Sequence, residues 1–146
     1  MENTAIQFGE RIESPLERVS AYGVILNDAS EILVVEVKGK FHLPGGGIDP
    51  GEDACEAIKR EALEETGYAI SDLELIGKAN QYLPNASMGS MNKLGTFYKA
   101  KALGQDVSKR VESDHLPRWV THEEIKEALM SEFYKWAVDQ VFDSMV

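Results

Sequence analysis

The chain has 146 residues, 43% apolar and 27% charged, with 25 acidic side chains against 15 basic ones and a formal net charge of −10. That is enough chain for one hydrophobic core and too little for two ordinary domains, so a single domain over residues 1–146 is expected. An acidic balance, with a pI near 4.7, argues against nonspecific nucleic-acid binding, which needs a basic face.

In chain order, Met1 to Leu16 reads as polar and irregular, with an early strand at Ile6–Phe8. Val19–Leu26 and Ile32–Val37 are rich in β-branched residues and joined by a hairpin-type connection, Asn27 to Glu31. A turn at Lys38-Gly39-Lys40 precedes a short strand, Phe41–Leu43. A glycine loop and a helix follow. Leu73–Tyr82 and Lys93–Ala102 read as strands, separated by a polar loop over Leu83–Asn92. Val111–Asp114 and Arg118–Val120 read as short extended pieces. Thr121 or His122 opens a helix with Glu123 and Glu124 in its first turn. Ser131 is the expected cap of a last helix carrying Phe133, Tyr134, Trp136, Ala137, Val141 and Phe142. This order is of mixed α/β (α+β) type.

Gly46 to Tyr68 carries the chemistry. Asp53 followed three residues later by Glu56 is a capping box, which starts a helix near Ala54. Gly67 ends it, since glycine tolerates the left-handed conformation past a last turn. At roughly 100° per residue, Ala54, Ala57, Ile58 and Ala62 cluster on one side of that helix. Glu61 and Glu65 point the same way and Glu64 borders them, while Glu56, Lys59 and Arg60 face elsewhere. Carboxylates thus project from the side that small apolar residues mark as packed. Partly buried carboxylates this close cannot all stay ionised without a cation. A hard divalent ion with oxygen ligands resolves the conflict, and magnesium with retained waters is the common solution. The plainer reading is a solvated acidic helix with ordinary i,i+4 pairs such as Glu56–Arg60. The preceding glycine loop, Gly45-Gly46-Gly47, and the facing of the glutamates count against it.

Gly46, Glu52, Arg60, Glu61, Glu64, Glu65 and Gly67 stand in the spacing Gly-x5-Glu-x7-Arg-Glu-U-x-Glu-Glu-x-Gly-U, where U is bulky and apolar. At background frequencies, seven such residues match a given start on the order of 10⁻⁸ of the time. The segment resembles the Nudix box of the MutT-type hydrolase superfamily, and Phe41-His42-Leu43-Pro44-Gly45-Gly46 resembles the strand and loop that lead into it. One departure is Ala62, smaller than usual at the first U position. The resemblance implies a mixed β-sheet sandwiched between α-helices. It also implies hydrolysis of a phosphoanhydride by metal-activated water, in a nucleoside diphosphate linked to another group or in a nucleoside triphosphate. Carried over residue by residue, Glu61, Glu64 and Glu65 are the helix ligands to Mg²⁺, which Mn²⁺ can replace, and the carbonyl of Gly45 or Gly46 is the loop ligand. Arg60 orients Glu61 or Glu52, and Glu52 takes part in base or metal work. A further carboxylate from outside the box completes the catalytic set, with Glu112 as first candidate and Asp114 as second. His115 is a base, a substrate contact or a structural residue.

Arg18 stands where some relatives place a cationic substrate contact. Tyr82, Pro84, Met88 and Met91 lie in the stretch that often shapes the pocket. Phe8, Tyr22, Phe97 and Tyr98 are stacking platforms or core. Leu83–Asn92 is expected to form a mobile rim over the substrate. A small nucleotide-type molecule is the expected partner, with no nucleic acid, no membrane and a monomeric or homodimeric state. No apolar run approaches the roughly 20 residues of a membrane span. The N-terminus has no basic region followed by an apolar stretch, so no signal peptide is expected. Cys55 is alone, which rules out an internal disulfide and fits a packed side chain in a reducing cytoplasm. The alternatives from other classes are a catalytically silent Nudix-fold regulator that binds nucleotide and an acidic calcium-binding scaffold. The intact box disfavours the first, and the lack of an EF-hand loop pattern disfavours the second.

Overall fold

The β-rich runs become eight strands in a computed structural model that describes residues 5–86, 89–111 and 114–145. These are β1 (Ile6–Phe8), β2 (Leu16–Leu26), β3 (Ile32–Val37), β4 (Lys40–His42), β5 (Gly45–Gly47), β6 (Tyr68–Ala86), β7 (Gly89–Gln105) and β8 (Leu116–Val120). Three helices accompany them: α1 (Ala54–Thr66), α2 (His122–Glu127) and α3 (Glu132–Asp143). The strands lie in the order β1-β6-β7-β2-β3-β4, with β5 on β2 and β8 on β3. The pairs β1/β6 and β2/β7 are parallel and the others antiparallel, which makes the expected mixed sheet.

Period-two patterning sends β2 and β3 side chains to two cores. Tyr22, Val24, Leu26, Ile32 and Val34 pack with Phe133, Tyr134, Ala137 and Val141 of α3, and Ile125 of α2 joins them. Ala21, Ile25 and Leu33 pack with Ala57, Ile58 and Ala62 of α1. The sheet is therefore covered on both faces. The small Ala62 is fully buried under α1. Gly23 shares that contact, since a Cβ on it would lie 3.2 Å from Cγ1 of Ile58. The apolar side of α1 is thus fitted tightly to β2, and burying Ile58 alone is worth about 1.5–3 kcal/mol.

Two expectations are corrected. Leu83–Asn92 is not a loop rim: β6 continues to Ala86 and β7 begins at Gly89. Leu83 pairs with Met91, and Met91 with Leu16 of β2, which leaves Met91 buried. Pairing to β2, far away in sequence, overrides the polar local composition. Met88 lies outside the described residues. Val111 is not part of a strand: its N–H bonds to the carbonyl of Glu64 at 2.8 Å, after a 3₁₀ turn over Val107–Lys109 capped by Asp106. Ser131 begins α3 without a side-chain cap bond.

One irregularity positions the site. β2 meets β3 only at Leu26–Ile32. Further back along β2, Ser20, Ala21 and Tyr22 pair instead with Gly47, Gly46 and Gly45 of β5. The sheet opens there, and the glycine strand sits in the opening. No described helix is long and apolar enough to cross a membrane.

Candidate active site

Local chemistry fixes α1 at both ends. Asp53 accepts from the N–H of Glu56 at 2.8 Å, and Glu56 accepts from that of Asp53 at 3.0 Å. Gly67 closes the helix at φ 78°, with its N–H on the carbonyl of Leu63. The helix is thereby held at one rotation over β5. The exposures of Glu65, Glu61 and Glu64 rise from 7% to 17% to 36%, the order their helical facing requires.

Arg60 leaves the helix on another side, but its long side chain folds back over the loop. Nε and Nη2 hold both oxygens of Glu52 at 2.7 and 2.9 Å, a bidentate pair. Nη1 reaches Glu61 at 2.9 Å and Glu64 at 3.3 Å. Nη2 also donates to the carbonyl of Gly47 at 3.1 Å. The guanidinium beside Glu52, helped by the N–H of Asp49, holds that carboxyl down at about 2. The same bonds push Arg60 further above its ordinary range.

Glu65 meets the other end of the glycine strand. Its Oε1 accepts the N–H of Gly45 at 2.8 Å. Its Oε2 stands 3.1 Å from Nδ1 of His115, within ion-pair distance but without hydrogen-bond alignment. Gly45 has φ 151°, and a Cβ on it would strike the carbonyl oxygen of Ala21 at 2.2 Å. Glu61 packs on Gly46, with Cδ 3.0 Å from where a Cβ would be. Glycine is therefore required for α1 and β2 to approach the strand between them.

These groups border a cavity of about 240 Å³, lined in part by Arg18, Tyr22, His42, Lys93, His115 and Tyr134. Burial, then Lys93, His115 and Lys40, lowers the pKa of His42 to about 4. Burial also raises the pKa values of Tyr22 and Tyr134. The cavity wall therefore presents a neutral imidazole and neutral phenols near pH 7.

The structure brings together Gly45, Glu52, Arg60, Glu61, Glu64 and Glu65, with Arg18 at the cavity. Tyr82 lies on β6 opposite Asn92 and is not among the cavity-lining residues. Phe97 is fully buried, and the largely buried Tyr22 packs at 5.3 Å from it. Phe8 packs against Trp136. Asp114 is exposed in a turn, and Glu112 lies outside the described residues. His42, Lys93 and Tyr134 line the cavity without having been singled out as site residues. Only His42 carried a local signal, in the segment leading into the box.

A metal's fit rests on the donor set. Glu52, Glu61 and Glu64 face the Arg60 guanidinium and Glu65 stands at the other end of the glycine strand, and all of these donors are oxygens, which suits a hard divalent cation. Among the described residues, no three carboxylate or imidazole groups converge on one point as they stand. Glu52, Glu61 and Glu64 are engaged by Arg60, and Glu65 by Gly45.

A Nitrosomonas europaea NUDIX hydrolase structure superposes with a TM-score of 0.74 at 23% identity, covering 88% of this chain and 90% of its own. "Nudix hydrolase 19, chloroplastic" of Arabidopsis thaliana is 36% identical over 92 residues, 63% of this chain. This chain spans about a fifth of that protein's length, and about a third and a fifth of two other relatives it matches. An RNA pyrophosphohydrolase of Dinoroseobacter shibae is 27% identical over 118 residues, 71% of this chain and 73% of that protein. The loop–helix box, the mixed sheet that carries it and a match to the NUDIX domain over residues 16–140 agree, and the chain belongs to the NUDIX domain family.

Proposed function

We propose that the chain is a magnesium-dependent hydrolase of phosphoanhydrides, acting on a nucleoside diphosphate linked to another group or on a nucleoside triphosphate. The observation that carries this is the Arg60 fork, which ties Glu52, Glu61, Glu64 and the Gly47 carbonyl into one preorganised acidic face. Glu61, Glu64, Glu65 and the carbonyl of Gly45 are the residues that would hold divalent ions. Such ions, when bound, neutralise a diphosphate and lower the pKa of a water.

The chain's own groups do the rest. Arg60 fixes three carboxylates in orientation, and Gly45 fixes the fourth through its N–H. Glu52, ionised down to about pH 2, is too weak a base to take a proton at neutral pH and acts as a positioning residue. The base falls to another carboxylate, with Glu112 the candidate. The uncharged cavity wall formed by Tyr22, Tyr134 and His42 suits the nucleoside. The name of the Dinoroseobacter shibae relative, an RNA pyrophosphohydrolase, points to the same reaction type, and a lone cysteine accords with a cytoplasmic setting.

The test is a panel of nucleoside diphosphate derivatives and triphosphates with Mg²⁺, scored for phosphomonoester or pyrophosphate release. Phosphoanhydrides are expected to be cleaved and nucleoside monophosphates spared. Comparable kcat/KM on a monoester would place the chain in another reaction class. Tight binding without turnover would make it a silent nucleotide-binding regulator.

A further inference from the structure

Arg18 of β2 and Lys93 of β7 are register partners on adjacent parallel strands. They are therefore about 4.8 Å apart along the hydrogen-bonding direction, and their side chains leave the same sheet face. Both line the cavity: Arg18 is exposed at its mouth, and Lys93 is half-buried inside. Neither side chain has a hydrogen bond or an ion pair within 4 Å among the described residues.

That is unexpected in a chain with ten more acids than bases. A charge taken out of water is ordinarily paired, because desolvation otherwise goes uncompensated. Lys93 feels this: burial and the nearby Arg18 lower its pKa, and only Glu65 opposes them. Glu65 is committed elsewhere, to the N–H of Gly45 and toward His115. Among the described residues no other carboxylate pairs with either side chain, which leaves the two cations open to an anionic ligand. Two cations on one strand spacing suit a single tetrahedral oxyanion. They also adjoin the glycine loop: the Arg18 guanidinium lies 3.2 Å from where a Cβ on Gly47 would be, and Arg60 binds the Gly47 carbonyl.

We propose that Arg18 and Lys93 receive a phosphate additional to the diphosphate held at the loop, so that the preferred substrate carries at least three phosphate groups. This rests on the hydrolase reading for the diphosphate's position. The shared chemistry is one extra phosphate. It comes either from the end of a linear triphosphate or from a monoester on the ribose.

Calorimetry with Mg²⁺ and compounds that resist hydrolysis separates the two sources. One arm compares fully methylene-bridged analogues of adenosine tri- and diphosphate. The other compares adenosine 2′,5′- and 3′,5′-bisphosphates with adenosine 5′-monophosphate. In one arm the extra phosphate is expected to tighten binding about tenfold to a hundredfold, the range for a hydrogen bond to a charged group. Lys93→Met should bring that ratio close to one and leave the parent compound's Kd within about twofold, while Lys93→Arg keeps the advantage. Arg18→Gln, at an exposed position, is the second variant should Lys93→Met not fold, with the same loss expected. No advantage in either arm, or an advantage that survives both substitutions, overturns the proposal. The hydrolase reading is scored separately by turnover of the unmodified nucleotides, so binding preference without turnover would sink that reading and leave this one standing.

Discussion

Gly45→Ala is the substitution whose cost follows most directly from the geometry. An alanine Cβ there would lie 2.2 Å from the carbonyl oxygen of Ala21, 2.5 Å from Cδ1 of Tyr22 and 2.8 Å from Cα of Tyr22. Two of those atoms are backbone of β2, which is paired along all of Leu16–Leu26 to β7 and cannot retreat. The loop must move instead. Holding alanine near φ 151° costs about 1–3 kcal/mol. Moving the loop also gives up the 2.8 Å bond from Gly45 to Glu65, worth about 1.5–3 kcal/mol as a bond to a charged group. The sum, about 2.5–6 kcal/mol, is a large share of the roughly 5–15 kcal/mol that hold a domain folded. Urea unfolding followed by circular dichroism measures it. With a slope of about 1–3 kcal/mol per molar, the midpoint should fall by about 2 M. Glu65→Gln is the contrast: it keeps a carbonyl acceptor for Gly45 and should cost about 1 kcal/mol or less. A Gly45→Ala protein within about 0.5 kcal/mol of the parent would refute the claim that α1 and β2 clamp the glycine strand.

Further outcomes concern the carboxylates and the cavity. Glu64→Gln and Glu65→Gln should each lower kcat by about 10² or more with the fold intact, as expected for positioned charge; full magnesium-dependent turnover in either would unseat the metal assignment. The Glu52 carboxyl carbon, followed by ¹³C NMR, should titrate at about 2, and in Arg60→Gln it should move back toward its ordinary 4.5. Because that pKa is depressed in the folded chain, the Glu52–Arg60 contribution is complete above about 4.5 and lost as pH falls toward 2. His42 has the same sign of proton uptake in a higher pH window: its folded pKa of about 4 lies below the ordinary 6.5, so the unfolded chain binds the proton first. Stability should therefore drop as pH falls from 6.5 to 4, and His42→Gln should flatten that drop in urea titrations; an unchanged slope would mean the imidazole is not shielded from water.

The box was legible because its signals are local. Asp53, Glu56 and Gly67 set the ends of α1, and a 100° rotation predicted which glutamates face inward. The fold of Arg60 back onto Glu52 was less so: facing sent the residue away, and only its length returns it. The strand pairing of Gly45–Gly47 left no propensity signal, since glycine is a poor strand former and is held there by β2 and α1. The same holds for the Leu83–Asn92 hairpin, whose polar composition hid an inward Leu83–Met91 pair. Lys93 is an ordinary strand lysine until the parallel pairing with β2 sets it beside Arg18.

That parallel pairing bears on how the molecule acquires its activity. The glycine strand, α1 and the four glutamates lie within some twenty consecutive residues, so their mutual contacts close short loops. The pairing of Arg18 with Lys93 instead closes a loop over most of the chain's middle, through β3, α1, all of β6 and the start of β7. Contacts of long sequence separation carry the larger entropic barrier and form late. A nascent or partly refolded chain can then hold a formed acidic helix while its cationic wall is still missing. Such an intermediate presents unscreened negative charge where the finished protein presents both signs. On the proposed reading, capture of an anionic ligand would await the fully assembled sheet, and a phosphate-rich ligand would slow global unfolding more than local fraying of α1.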